Sequence, residues 1–267
     1  MKRYLLKPST AVIKSAQDVL SVLASFIHLP LESSLRDISA RVGLPKPKTY
    51  RALSTLVESG FVEQDPASRK YRLHYKILDL ADALLSNQEV RTVARPVLEA
   101  LANGVGEGIT LAVPAGNEVV FVDRIHGGSH IRFFCDVGKR LPLHAGAAAK
   151  AILSCFPPAD FQTYLDSFPA AELTPYTITT PDRLRREIAD IRKKGYSFSN
   201  QEVDEGISAV GAAILDRWGA PVAGIAIASL SIKMNPARVK VLGEKLGQAV
   251  KEISMAMGYR REFHAAR

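Results

Sequence analysis

Cysteine is scarce in this chain. Two occur in 267 residues, Cys135 and Cys155, too few and too far apart for a disulfide framework or a zinc site. Tryptophan occurs once and aromatic residues make up 7% of the chain, so no aromatic-rich basic groove for single-stranded nucleic acid is expected. No apolar run reaches the length of about 18 residues that a membrane helix needs. Residues Met1 to Pro8 lack the apolar segment and small-residue cleavage site of a secretory leader. A cytoplasmic protein is therefore expected. Also missing are a G-x-S-x-G elbow, an H-E-x-x-H pair and a P-loop, which argues against an enzyme. Gly104-Val105-Gly106-Glu107-Gly108 lacks the spacing of a dinucleotide fingerprint and reads as a turn. His126 and His130 are four apart, but Gly127-Gly128-Ser129 between them argues against a shared helix face and against zinc. Neither metal nor cofactor is expected.

What the chain does have is unevenly placed positive charge. Its formal net charge is +8. Between Arg36 and Lys76 nine basic residues face four acids, a net +5 in about a sixth of the chain. Such clustering suits an anionic partner.

The same region has helical patterning. Ile13, Ala16, Leu20 and Leu23 are spaced as the buried stripe of a first helix that Pro30 closes. Ser34-Leu35-Arg36-Asp37 has the form of a capping box, opening a short helix that buries Leu35, Ile38 and Val42 and ends at Gly43. Leu44-Pro45-Lys46-Pro47 then starts a third helix, with Pro47 suited to its first position and Gly60 closing it. By spacing, Tyr50, Leu53, Leu56 and Val57 face inward, and Lys48, Arg51, Ala52 and Thr55 face out.

Two short helices joined at a glycine form a helix-turn-helix, whose second helix enters the DNA major groove. Phe61–Gln64 and Tyr71–Leu73 read as two strands of a wing around the turn Asp65–Lys70. The DNA-contact candidates are Lys46, Lys48, Thr49, Tyr50, Arg51 and Thr55 on the third helix, with Arg69 and Lys70 on the wing. The domains expected are a winged helix-turn-helix over 1–73, a linker helix over 74–90 and a second domain over 91–267.

In that second domain Glu118–Arg124 and Val222–Ala228 are strand-like, Asp182–Lys194 and Ala237–Met257 helical, and Pro175–Pro181 a connector. Strands interleaved with helices imply an α+β or α/β layered fold. Leu143-His144-Ala145-Gly146-Ala147-Ala148 runs through small residues into a helix. This segment admits two readings: a helix start that attracts a ligand carboxylate, or a close helix–sheet contact.

Three ordered motifs carry a resemblance to a known family. Asp37–Leu53 is similar to the helix-turn-helix of the IclR family of bacterial transcription regulators. Gly138–Leu153 is similar to its G-x-R-x-P-L-H-A-x-A-x-G-K-A-x-L stretch. Lys194-Gly195-Tyr196, Gln201-Glu202 and Gly206-Ile207 match its R-G-Y…E-E…G-[VL] pattern. The resemblance implies an α+β fold with a GAF-like effector domain, a small organic effector, and homodimers often paired into tetramers on a palindromic operator. It also implies effector contacts from His144, Ala145, Gly146, Ala147, Ala148, Asn200, Ala209, Ala226 and Ala228, and Arg132 is added on its own chemistry as a candidate carboxylate partner. The chain departs from the family at Pro47 (often Ser), Ala149 (usually Gly), Ser199–Glu202 (usually more acidic) and Ala209 (Cys in some members). Ala226 and Ala228 stand where sensors of small acids tend to carry serine, so an aromatic or branched acid is expected over a very small one.

Two rivals remain to be separated from a regulator: an enzyme with an accessory basic domain, and a non-specific nucleic-acid binder. Random duplex bound as well as specific duplex at every salt concentration is the mark of the latter.

Overall fold

The computed structural model describes residues 12–86, 89–127 and 136–259. The chain divides into two compact units, 1–87 and 88–267.

In the first unit, helix α1 (Lys14–Ser25), α2 (Leu35–Val42) and α3 (Lys46–Glu58) precede a hairpin of β1 (Val62–Gln64) and β2 (Tyr71–Leu73), then helix α4 (Lys76–Ser86). The capping box forms as expected: Ser34 Oγ accepts the Asp37 N–H, and Asp37 accepts the Ser34 N–H at 3.2 Å. Gly43 ends α2 at φ 68°, a conformation that glycine adopts without penalty. Val22, Phe26, Ile38, Leu53, Leu56, Val62 and Tyr71 form the core. Burying each large apolar side chain contributes about 2 kcal/mol.

Three expectations fail here. Ile13 and Leu20 are 71% and 64% exposed, and the buried face of α1 instead carries Val22 with Val19 and Leu23 beside it. Ile13 is the extended N-cap residue ahead of α1, and Leu20 lies on the outer side of the helix. On α3 Tyr50 and Val57 are exposed while Ala52 is buried, so the core stripe is Thr49, Ala52, Leu53 and Leu56. The helix also starts one residue early, which makes Pro47 its second residue.

The second unit opens with α5 (Glu89–Val105), which begins within the range 74–90 expected for the linker helix and runs past it. A six-stranded antiparallel sheet follows in the order β5-β4-β3-β8-β7-β6. Its strands are β3 (Gly108–Ala115), β4 (Glu118–Ile125), β5 (Arg140–Pro142), β6 (Ser197–Asn200), β7 (Ile207–Leu215) and β8 (Pro221–Leu230). Helices α6 (Ala147–Ser154), α7 (Pro158–Asp166) and α8 (Pro181–Lys194) belong to one side, with α6 on β7 and β8. The other face is covered by α5 and α9 (Pro236–Ala256). A sheet with helices on both faces gives the α+β class.

Close packing explains several small residues. A Cβ on Gly211 would lie 2.5 Å from the Ala147 carbonyl carbon, and one on Gly224 would lie 2.6 Å from the Ala148 oxygen. α6 therefore rests on bare backbone. The same helix α9 holds two glycines in opposite situations. A Cβ at Gly243 would meet the Tyr196 ring at 2.5 Å, whereas one at Gly247 meets nothing within 4 Å. Gly247→Ala is expected to raise unfolding stability by about 1 kcal/mol through helix propensity, and Gly243→Ala to lower it; urea titration followed by circular dichroism reads both signs.

Candidate functional site

The outer face of α3 repeats at positions 47, 50, 51, 54, 55 and 58, all exposed. Tyr50, Arg51, Ser54 and Thr55 line its centre, and Lys46 stands exposed at its start. Thr55 Oγ1 donates to the Arg51 carbonyl at 3.0 Å and Ser54 Oγ to that of Tyr50 at 3.0 Å, so each hydroxyl spends its proton on the helix and faces outward as an acceptor. Ser54 was missed because one residue of phase error on α3 placed Ala52 in the stripe instead.

Thr49 needs correction. It is fully buried, with its hydroxyl directed at the Leu44 and Pro45 carbonyls, and it fastens the turn rather than touching DNA. Lys48 is half committed: its Nζ lies 2.7 Å from Asp18 on α1, tying the first helix to the third. On the wing Asp65 Oδ1 accepts the N–H groups of Ala67 and Ser68. These bonds hold the Asp65 carboxyl below its ordinary range. Arg69 takes a left-handed φ of 59° and stands exposed beside Lys70. The tip is thus a cationic knuckle on a structured turn.

In the second unit the small-residue segment forms the start of α6. Gly146 has φ 88°, and its N–H donates to Glu202 Oε2 at 3.1 Å. The carboxylate that meets this helix start belongs to the chain itself. Glu202 Oε1 and Glu187 Oε1 each lie 2.6 Å from Lys150 Nζ, which also donates to the Phe198 carbonyl at 2.7 Å.

His144 is likewise corrected as a ligand contact. It is fully buried; its Nε2 lies 3.0 Å from the Ala171 carbonyl and its Nδ1 2.9 Å from the Tyr164 hydroxyl. A carbonyl only accepts, so Nε2 carries the proton, and Nδ1 accepts from Tyr164. The same hydroxyl oxygen accepts the His144 backbone N–H at 3.1 Å. Both ring nitrogens are spent inside the fold. Burial, more than any other cause, lowers the His144 pKa from 6.5 and raises that of Tyr164.

Ala209, Ala226 and Ala228 do gather on one sheet face. Directly paired residues share a face, and Arg124↔Thr110↔Ala226↔Gly211↔Ser197 makes one row across five strands. Gly108↔Ala228↔Ala209↔Ser199 makes the next. Gly211 meets α6, so this is the α6 face, where Ala145, Ala147 and Ala148 are also buried. Asn200 pairs with Ser208 and so belongs to the opposite face. It lines a separate open groove of about 470 Å³ along β6, with Tyr176, Tyr196, Phe198 and Met234. Arg132, Cys135 and His130 lie outside the described residues. Thr110 and Arg124 were missed, because strand pairing rather than local pattern brings them into the row.

A winged helix-turn-helix with a polar outer α3 face, joined to an α+β domain, is the build of a ligand-responsive bacterial transcription regulator. The comparisons with known proteins agree. Residues 15–66 match the IclR helix-turn-helix domain, and residues 82–255 match the bacterial transcriptional regulator IclR C-terminal domain. The chain belongs to the IclR family. It is 33% identical over 248 residues to the HTH-type transcriptional regulator KipR of Bacillus subtilis, covering 93% of this chain and 97% of that one. It is 30% identical over 226 residues to the HTH-type transcriptional repressor AllR of Klebsiella pneumoniae, covering 85% and 83%. Among solved structures, the Thermotoga maritima IclR superposes with a TM-score of 0.76 at 28% identity, covering 92% and 99%. An IclR homolog from Microbacterium hydrocarbonoxydans, complexed with 4-hydroxybenzoate, shares the fold with a TM-score of 0.76 at 24% identity, covering 91% and 99%. The chain is a DNA-binding transcription regulator with an effector-binding C-terminal domain, not an enzyme. Among the described residues no helix is long and apolar enough to cross a membrane.

The sign of the His144 shift sets a pH dependence. With the folded pKa below 6.5, the unfolded chain takes up the proton first. The stabilisation is then fully present above pH 6.5 and lost as pH falls below it. The melting temperature is expected to drop between pH 7 and pH 5.5, and to drop less steeply in His144→Gln. Parallel slopes for the two proteins would contradict a lowered His144 pKa.

Proposed function

We propose that this chain is a cytoplasmic, sequence-specific regulator that binds a palindromic operator as a dimer, or as a pair of dimers, under control of a small organic acid of aromatic or branched shape. The observation that carries the DNA half is the exposed face Tyr50, Arg51, Ser54 and Thr55 set beside the cationic wing tip. Arg51 is assigned base-edge contact, and Lys46, Lys48, Arg69 and Lys70 phosphate contact. Dimerisation is supported by exposed apolar side chains on and flanking α1: Ile13, Leu20 and Ile27 are 71%, 64% and 76% exposed.

The effector half of the proposal rests on the sheet face floored by Ala209, Ala226 and Ala228 and walled by Ala145, Gly146, Ala147 and Ala148. Alanine in place of serine at 226 and 228 removes two hydroxyls from this floor, which suits an apolar ring or branched chain carrying one carboxylate. The 4-hydroxybenzoate held by the Microbacterium homolog is an acid of this kind. Effector binding shifts the population between two arrangements of the paired DNA-binding units, through α4 and α5.

Capture of fragmented genomic DNA by the purified protein, followed by sequencing, tests this reading. A few palindromic sites near promoters are expected; uniform retention would defeat it. On such a site Arg51→Ala is expected to cost about 1–3 kcal/mol and to relax base preference. Arg69→Ala and Lys70→Ala should instead weaken specific and random duplex alike, each making the salt slope shallower by about 1. Fluorescence anisotropy across a salt series separates the two patterns.

A further inference from the structure

Consecutive residues of β4 point to opposite faces of the sheet, and two of them are charged. Asp123 is 5% exposed and receives two arginines of α5: Arg95 NH1 donates to its carboxylate at 3.0 and 3.2 Å, and Arg91 Nε lies 3.2 Å away. Arg124 lies on the other face, in one row with Thr110 and Ala226. Its guanidinium donates to Asp136 Oδ1 at 2.9 Å. Asp136 lies on the β5 side of β4, since the N–H of Gly138 donates to Phe121 O and that of Phe121 to Lys139 O. The ion pair thus draws the guanidinium toward that edge, away from Ala226. The Asp136 side chain is 71% exposed against 28% for Arg124. A pair with one so exposed member is weak and open to exchange.

We propose that Arg124 is the anchor for the carboxylate of the effector, and that Asp136 is a resident placeholder which the effector displaces. This rests on reading the α6 face as the effector cleft. The planar guanidinium takes a carboxylate through two parallel hydrogen bonds, and the displaced Asp136 returns to water. No other cation lies on the small-residue rows Arg124–Ser197 and Gly108–Ser199. The exchange also has a route outward. Asp123 Oδ1 accepts the Arg124 backbone N–H at 2.9 Å, so a shift of Arg124 bears directly on the clamp that holds α5. α5 begins at Glu89, three positions after the end of α4.

The test is calorimetric titration of the full-length protein with benzoate, 4-hydroxybenzoate, pyruvate and glyoxylate, with 4-hydroxybenzamide as the uncharged analogue. At least one acid is expected to bind, and the amide not. Arg124→Gln should weaken the best acid by about tenfold or more, the worth of a charge-assisted hydrogen bond. Asp136→Asn, which removes the competitor, should tighten it by about threefold. Circular dichroism checks that each variant folds, and Asp136→Asn decides the matter if Arg124→Gln does not. An acid that binds Arg124→Gln as it binds the native protein, or that gains nothing from Asp136→Asn, overturns the proposal and leaves the acid-sensing reading standing. Failure of all four acids to bind the native protein overturns both.

Discussion

The ammonium group of Lys150 has no exposed side-chain surface, and a charge so placed persists only when it is fully paired. Its partners come from three places in the chain: Glu187 on α8, the Phe198 carbonyl on β6, and Glu202 in the turn that follows. One buried cation therefore fixes a helix, an edge strand and a turn against α6. Glu202 then uses its other oxygen on the Gly146 N–H, which fixes where α6 begins. The start of that helix can sit on the sheet only because Gly211 and Gly224 offer no Cβ. The position of the small-residue wall beside Ala209, Ala226 and Ala228 thus follows from how one ammonium is satisfied. Removing the ammonium itself would leave the buried Glu202 carboxylate without its cation, at a cost of about 3–5 kcal/mol.

On the opposite face the fastening is also electrostatic. Asp123 holds α5 through Arg91 and Arg95. Glu107, 3% exposed, accepts from Ser229 Oγ and from Arg238 of α9, each at 2.8 Å. Apolar packing would tolerate small slides of these helices along the sheet, because dispersion contacts have little direction. Ion pairs at about 3 Å tolerate less, since hydrogen bonds weaken steeply with angle. The helices that cover the α5–α9 face are therefore coupled to Asp123 of β4 and to Glu107 just before β3.

Legibility in the sequence followed the range of the interaction. The Ser34–Asp37 capping box, the Gly43 stop, the wing strands and the long helices α8 and α9 are local devices, and the structure has them close to where the spacing put them. The family motifs also located the start of α6. Faces were read less well. Ile13 and Leu20 follow the helical period, but period does not say which of two apolar stripes meets the core and which stays outside. Thr49 looked like a DNA-facing hydroxyl because nothing local shows that Leu44 and Pro45 present carbonyls to it. His144 looked like a ligand contact because its partners, Tyr164 and Ala171, lie 20 and 27 residues away. Arg124 escaped notice for the same reason, its place depending on the register of β3, β4 and β8.

The two faces of the sheet then differ in kind. On the α6 face the approach of the helix is set by sterics at Gly211 and Gly224, where a Cβ would collide with the α6 backbone. The α5–α9 face is held by ions whose energy depends on direction and distance. A sheet is one backbone thick, and β4 presents Arg124 to the first face and Asp123 to the second. A sterically defined cleft cannot swell to admit a ligand; it can admit one only where volume or charge is already available. Along this row the available charge is that of Arg124, whose partner is mostly solvated. A change in what Arg124 holds is felt by the peptide that also bears Asp123, and hence by α5. Steric rigidity on one side and directional ion pairs on the other are the properties that let a strand transmit a displacement instead of absorbing it.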